Sequence, residues 1–172
     1  HTSIVGFVNR HLGHLCHTFD MARHIENIEA LKGLIGEHLG YSSYMTITQE
    51  RVNQFAEATG DHQWIHVDVE KAKSGPFGGP IAHGYLTLSL GPVFLPEIFS
   101  VGGVVMGVNY GANKVRFIQP VPVGANLRAG AKVLSIDDTA TGARVTIEVT
   151  FECEGAAKPS CIAEVIFQYF AG

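Results

Sequence analysis

At 172 residues with a formal net charge of −4 and no lysine–arginine cluster, the chain is the length of one domain and is poorly suited to neutralising nucleic-acid phosphates. Apolar residues make up 46% and charged residues only 16%, a balance expected of an oligomer that hides part of its surface. Cys16, Cys153 and Cys161 show no C-x-x-C spacing and no even framework, no apolar run reaches the length of a membrane span, and no signal-peptide pattern opens the chain. The expectation is a soluble cytoplasmic protein with neither nucleic acid nor membrane as partner.

Residues 1–26 read as an extension and 27–172 as the domain. Within the extension Ile4, Val5, Val8, Leu12, Leu15 and Phe19 recur at helical spacing. Two readings stay open there: an appended helix docked on the domain or its partner, or sequence foreign to the domain. His11, His14 and His17 fall on neighbouring faces of that helix, but without a carboxylate or thiolate they make no metal site.

Asn27 can cap a helix running to Glu37 or His38 and stopped by Gly40, and Tyr41–Ile47 reads as a strand. Thr48 starts a helix through Thr59, with Val52, Phe55, Ala56 and Thr59 on one face and Gly60 as its stop. Glycine and proline punctuate residues 61–81 as a loop, with one helical turn capped by Asp68. From Ile81 to Leu95 the sequence is apolar nearly all round, so that helix has to be buried. The period then changes. Val104–Tyr110, Lys114–Gln119, Asn126–Ile136, Ala143–Cys153 and Ser160–Phe170 are rich in Val, Ile and Phe and read as strands, the last three joined by turns at 137–142 and 155–159. Strands this close in sequence pair antiparallel. The fold class is therefore α+β, a curved antiparallel sheet wrapped around one buried central helix. Such a sheet leaves strand edges open, and pairing two copies edge to edge as a homodimer closes them.

Chemistry concentrates after the Thr48 helix. Asp61 and His66 lie five residues apart in a turn, with His83-Gly84 a loop further on. A carboxylate and an imidazole converging on one small molecule is what proton transfer requires, although polar residues after a helix also form plain capped turns. His62 is left aside as a neighbour that points away, and Asp68 is read as a cap. Trp64 lines a pocket or plugs core, with core favoured. A metal held by Asp61, His62, His66 and His83 matches no helical H-E-x-x-H or cysteine-based spacing, and none is expected. Lys114 and Arg116 alternate on a strand and so share a side, where they meet phosphates or only solvent. These residues alone support an acid–base site beside a buried helix.

The pattern Asp61, Ile65, His66, Asp68, Phe77 and Ile81-Ala82-His83-Gly84 resembles the MaoC-like dehydratases of hot-dog fold, the branch that contains the (R)-specific enoyl-CoA hydratases. Asn109-Tyr110-Gly111, Lys114-Val115-Arg116-Phe117 and Pro120-Val121-Pro122-Val123-Gly124 are similar to the same family, and the likeness covers about residues 27–170. Where the family carries Asn-Pro before the aliphatic position this chain has Gln63-Trp64. That changes a pocket-shaping side chain and leaves the reacting pair intact.

The resemblance implies addition of water to a trans-2-enoyl thioester, carried by CoA or by an acyl-carrier protein, without a cofactor. Asp61 would take the proton of a bound water and His66 would manage its delivery to C2. The backbone N–H of Gly84, unpaired at a helix start, would hold the thioester oxygen. Ile65, His83, Lys114 and Arg116 are the further substrate-binding candidates, and the family places the pocket between two subunits. Two alternatives remain at this point: an acyl-CoA thioesterase on the same fold, and a non-catalytic subunit that binds acyl thioesters.

Overall fold

The computed structural model describes residues 22–172, so the apolar stripe expected in residues 1–20 lies outside the described residues. Strand β1 (Arg23–Ile25) opens it, and Ile25 is already in the core, so the last residues of the expected extension pack as part of the domain. Helix α1 (Ile28–Lys32) is capped by Asn27, whose Oδ1 accepts from Ala30 N at 2.8 Å. It ends at Gly33, short of the expected Glu37. Gly36 turns the chain at φ +87° and its N–H donates to Val133 O on the sheet, which draws the chain into strand β2 (His38–Tyr41). The strand expected over Tyr41–Ile47 is likewise two pieces, β2 and β3 (Met45–Thr46). Ser42 separates them, its N–H donating to Ala129 O and its hydroxyl accepting from Ala129 N.

Helix α2 (Gln49–Thr59) has the expected bounds. Thr48 Oγ1 accepts from Arg51 N, and Gly60 stops it in the left-handed region at φ +78°, where a side chain would be strained. Two short helices follow where a loop with one turn was expected, α3 (Trp64–Val67) and α4 (Val69–Lys73), the second capped by Asp68. The single helix expected over Ile81–Leu95 is instead an extended lead, Ile81–His83, then α5 (Gly84–Ser89) and α6 (Gly91–Ile98). Pro92 explains the break, because it has no N–H to offer the preceding turn and its ring crowds that turn. The pair still fills the sheet's hollow with Leu86, Leu90, Phe94, Leu95 and Ile98, but Tyr85 and Val93 stay exposed, so the run is not buried all round.

After β4 (Phe99–Val101) come β5 (Val104–Phe117), β6 (Asn126–Thr139), β7 (Gly142–Cys153) and β8 (Cys161–Ala171). The sheet order is β2-β6-β7-β8-β5, all antiparallel, with β3 also on β6. The expected antiparallel pairing of successive strands holds for β6–β8. The two strands expected over 104–119 are one bulged strand, and it lies at the far edge beside β8 rather than next to β6. A separate parallel pair, β1 with β4, ties the start of the domain to the end of α6.

Alternation along β7 sends Ala143, Val145, Ile147, Val149 and Phe151 inward, all with no exposure. Ala129, Ala131 and Ala163 face the same side and are small enough to let α5 and α6 approach the sheet. Among the described residues no helix is long and apolar enough to cross a membrane. Helix packing on one face and the curl of the sheet together bring the lead into α5 against the turns after α2.

Candidate active site

Gly60 ends α2 so that Asp61 emerges in a turn, and α3 then presents His66 one helical turn later. Asp61 is exposed and its Oδ1 accepts from Gln63 N at 3.4 Å. His66 is only 6% exposed. Its Nδ1 lies 2.7 Å from the carbonyl of Ile81, which can only accept, so Nδ1 carries the proton and Nε2 keeps a free lone pair. Burial lowers the His66 pKa from its ordinary value, against the pull of that hydrogen bond and of Asp61, so the neutral base is the resting form. Gln49 supports the same residue from α2, donating to His66 O at 2.7 Å.

His83 is the N-cap residue of α5 and is 2% exposed. It is brought into the same group. By the same logic its Nε2–H donates to Asp61 O at 2.9 Å, leaving Nδ1 as an acceptor with no partner among the described residues. The rings of His66 and His83 stack at 3.9 Å between centroids and 26° between planes, with Phe55 tilted against His83 at 5.0 Å. His83 therefore holds the backbone of Asp61 and the ring of His66 together. Asp61, His66 and His83 each offer one side-chain atom within 4.8 Å of the others. These three are the residues that can approach a metal, but stacked imidazoles direct their in-plane lone pairs side by side rather than at one point, a poor arrangement for tetrahedral coordination.

A cavity of ≈ 220 Å³ opens beside His66, lined by Ile81, Gly84, Thr87, Phe117 and Ser160 among others. A larger hollow of ≈ 400 Å³ runs between α5–α6 and β5–β8, past Pro92, Leu95, Tyr110 and Phe167, but none of the three titratable residues lines it. The smaller one is the better candidate for the chemistry because it touches the free base.

The other sequence candidates sit elsewhere. Ile65 is half-buried and contributes its carbonyl to Ile81 N at 3.0 Å, outside that cavity lining. His62 faces Glu57 on α2 at 3.7 Å. Trp64 packs over Gly75 and under Lys71 Nζ, a local plug. Lys114 is ion-paired with Glu164 at 2.8 Å, and Arg116 donates to Val115 O. A bulge between Asn113 and Arg116, with Lys114 at φ +46°, interrupts the alternation, yet both side chains stay on the outer side of the sheet, Lys114 at Glu164 and Arg116 opposite Ile162. Sequence reading missed Gln49, the Ile81 carbonyl and the wall formed by Phe117; of these only Phe117 had a local signal, its place in Val-Arg-Phe.

Comparisons with known proteins fit this geometry. Residues 30–154 match the MaoC like domain. The "3-hydroxyacyl-thioester dehydratase Z" of Mycobacterium tuberculosis is 50% identical over 150 residues, covering 87% of this chain and 99% of its own. Among solved structures, a "Monoamine oxidase regulatory protein" from Archaeoglobus superposes with a TM-score of 0.69 at 27% identity, over 88% of this chain and 99% of that one. The unliganded "R-Hydratase PhaJ1" of Pseudomonas aeruginosa shares the fold at a TM-score of 0.65 and 22% identity, over 80% and 83% of the two chains. The α+β sheet closed on its helices is thus the hot-dog fold, and by the match over residues 30–154 the chain belongs to the MaoC-like dehydratase family.

Proposed function

We propose that this hydro-lyase adds water to trans-2-enoyl thioesters to give (3R)-hydroxyacyl thioesters, and catalyses the reverse dehydration. One observation carries the reading: a neutral His66 with Nε2 free stands within 4.8 Å of a carboxylate, beside a cavity that reaches Gly84. In the proposed cycle a water sits between Asp61 and Nε2 of His66. Asp61 accepts one of its protons as the hydroxyl adds to C3, passes that proton to the Nε2 lone pair, and Nε2 delivers it to C2, so both residues end as they began. Atoms balance as H and OH added across one double bond. Because one residue pair handles both, addition is to one face and gives a single stereoisomer. Charge on the thioester oxygen is met by the N–H of Gly84, one of the unpaired donors of the first turn of α5. Helix α5 has only six residues, so this donor acts as a hydrogen bond more than through a helix dipole.

The relative's name, a 3-hydroxyacyl-thioester dehydratase, supports the thioester class. Wild-type protein should consume crotonyl-CoA with loss of enoyl absorbance, give (3R)-hydroxybutyryl-CoA on chiral analysis and release no free thiol. Thiol release from saturated acyl-CoA without hydration would sink the reading in favour of a thioesterase.

We further place the protein in the cytoplasm as a homodimer, with cell fractionation as the check on location. The free edge of β5 and the apolar residues it exposes, Val105 at 71% and Tyr110 at 59%, are what a second copy would cover. Sedimentation should return twice the 18.5 kDa chain mass, and a monomer at working concentration would remove this part of the proposal.

A further inference from the structure

Position 84 is glycine in a turn that holds the buried His83, and the structure shows what occupies the room a side chain would need. A Cβ there would lie 3.0 Å from both Cγ and Cδ2 of Phe117 and 3.1 Å from Cδ1, so the ring lies flat against the Gly84 backbone. Nothing in the substrate is required to explain that glycine; the ring already does.

Phe117 faces the helix because the register of β5 on β8 shifts just before it. Asn113 pairs with Glu164, on the side of β8 opposite to buried Ala163. Strict alternation from Asn113 would put Phe117 on that same outer side. The extra residue at Lys114–Val115 reverses the parity, so that Arg116 pairs with Ile162 and Phe117 with buried Cys161. The bulge, with Lys114 in the left-handed region at φ +46°, thus turns Phe117 toward α5, where the ring covers Gly84 while 45% of the residue stays exposed. The strand end is then pinned, as Ile118 N–H donates to Ser160 O at 2.9 Å. Tyr85 meets the ring edge-on at 5.7 Å.

We infer that Phe117 is a positioning residue for the proposed hydration: it clamps the His83–Gly84 turn from β5 and so sets where His83 holds Asp61 and His66, and where the Gly84 N–H points. The inference rests on the proposed function, and it assigns glycine 84 to the ring rather than to substrate approach. An ångström of misplacement in such a group can cost on the order of 10²-fold in rate, so a clamp of this kind matters.

The test is a cycle of Gly84→Ala, Phe117→Leu and the double variant, with kcat and KM for crotonyl-CoA hydration and melting temperature for each. Leucine keeps an apolar side chain and removes the flat ring. Gly84→Ala should lower kcat at least tenfold. Phe117→Leu should lower kcat severalfold with KM within twofold of wild type, a split that loss of folded protein would also show but with a lowered melting temperature and active-site titre. The double variant should be several times more active than Gly84→Ala alone, because the leucine gives the new methyl room. A double variant no better than Gly84→Ala overturns the inference, since the space over residue 84 would then belong to the thioester. Gly84→Ala with wild-type kcat overturns it as well. Wild type inert on crotonyl-CoA would instead fail the hydratase reading and take the positioning role with it, an outcome distinct from an active wild type without rescue.

Discussion

Asp61→Asn and His66→Ala should each lower kcat/KM for crotonyl-CoA by about 10²–10⁴, the usual worth of a positioned acid–base group. Asp61 is exposed and among the described residues its side chain accepts only one long hydrogen bond, so its asparagine variant should melt with wild type. His66→Ala removes the donor to Ile81 O and leaves a buried carbonyl unpaired, so some loss of stability should accompany the loss of rate. A pH profile adds an independent reading. Protonation at Nε2 removes the lone pair that holds water, so activity should fall as pH drops. Burial lowers the His66 pKa, which places the midpoint of the acid limb of kcat/KM below the ordinary histidine value of 6.5. An asparagine variant with wild-type rate, or an acid limb centred above that value, would refute the assigned roles.

His83→Ala should be nearly as damaging without that residue touching the reacting atoms. It deletes the hydrogen bond to Asp61 O and the ring stacked on His66, and it opens a hole next to Phe55. Misplacement of both groups should lower kcat about 10²-fold, more than it raises KM. His83→Asn offers an amide donor that can reach toward Asp61 O and should recover part of the loss. A direct substrate contact would behave differently, with KM rising and asparagine no better than alanine, and that pattern would return His83 to the binding role read from the sequence.

Local rules exposed in the sequence carried the elements whose determinants are neighbours. The Thr48 cap and Gly60 stop bracket α2, Asp68 caps α4, and β6–β8 show alternation between obvious turns. The Asp61/His66 spacing and His83-Gly84 were likewise legible, and the fold does bring Asp61, His66 and His83 within reach of each other. What escaped depended on distant partners. The pairing of β1 with β4 joins residues 76 positions apart, as in His24 with Ser100, and neither strand is long enough to show a period. The Ile81 carbonyl that sets the tautomer of His66 is a backbone atom, invisible to residue type. The bulge in β5 followed from no glycine or asparagine at its centre, since Lys114 takes the left-handed conformation itself, at a cost tertiary pairing must offset. Pro92 was visible, but the continuous apolar run around it outweighed the break.

The irregular outline of β5 has one more effect, on which strands its free edge will accept. Register slips at three places, between Val104 and Met106, Asn109 and Gly111, and Asn113 and Arg116, interrupt the row of outward N–H and C=O groups. A straight extended segment from an unrelated protein, or from a misfolded copy, can match such a row over only a few residues before its donors and acceptors fall out of phase. A surface with exposed valine, methionine and tyrosine would otherwise invite open-ended stacking. Here the kinked contour confines long pairing to a strand bearing complementary kinks, so the edge discriminates by shape where its chemistry alone would not.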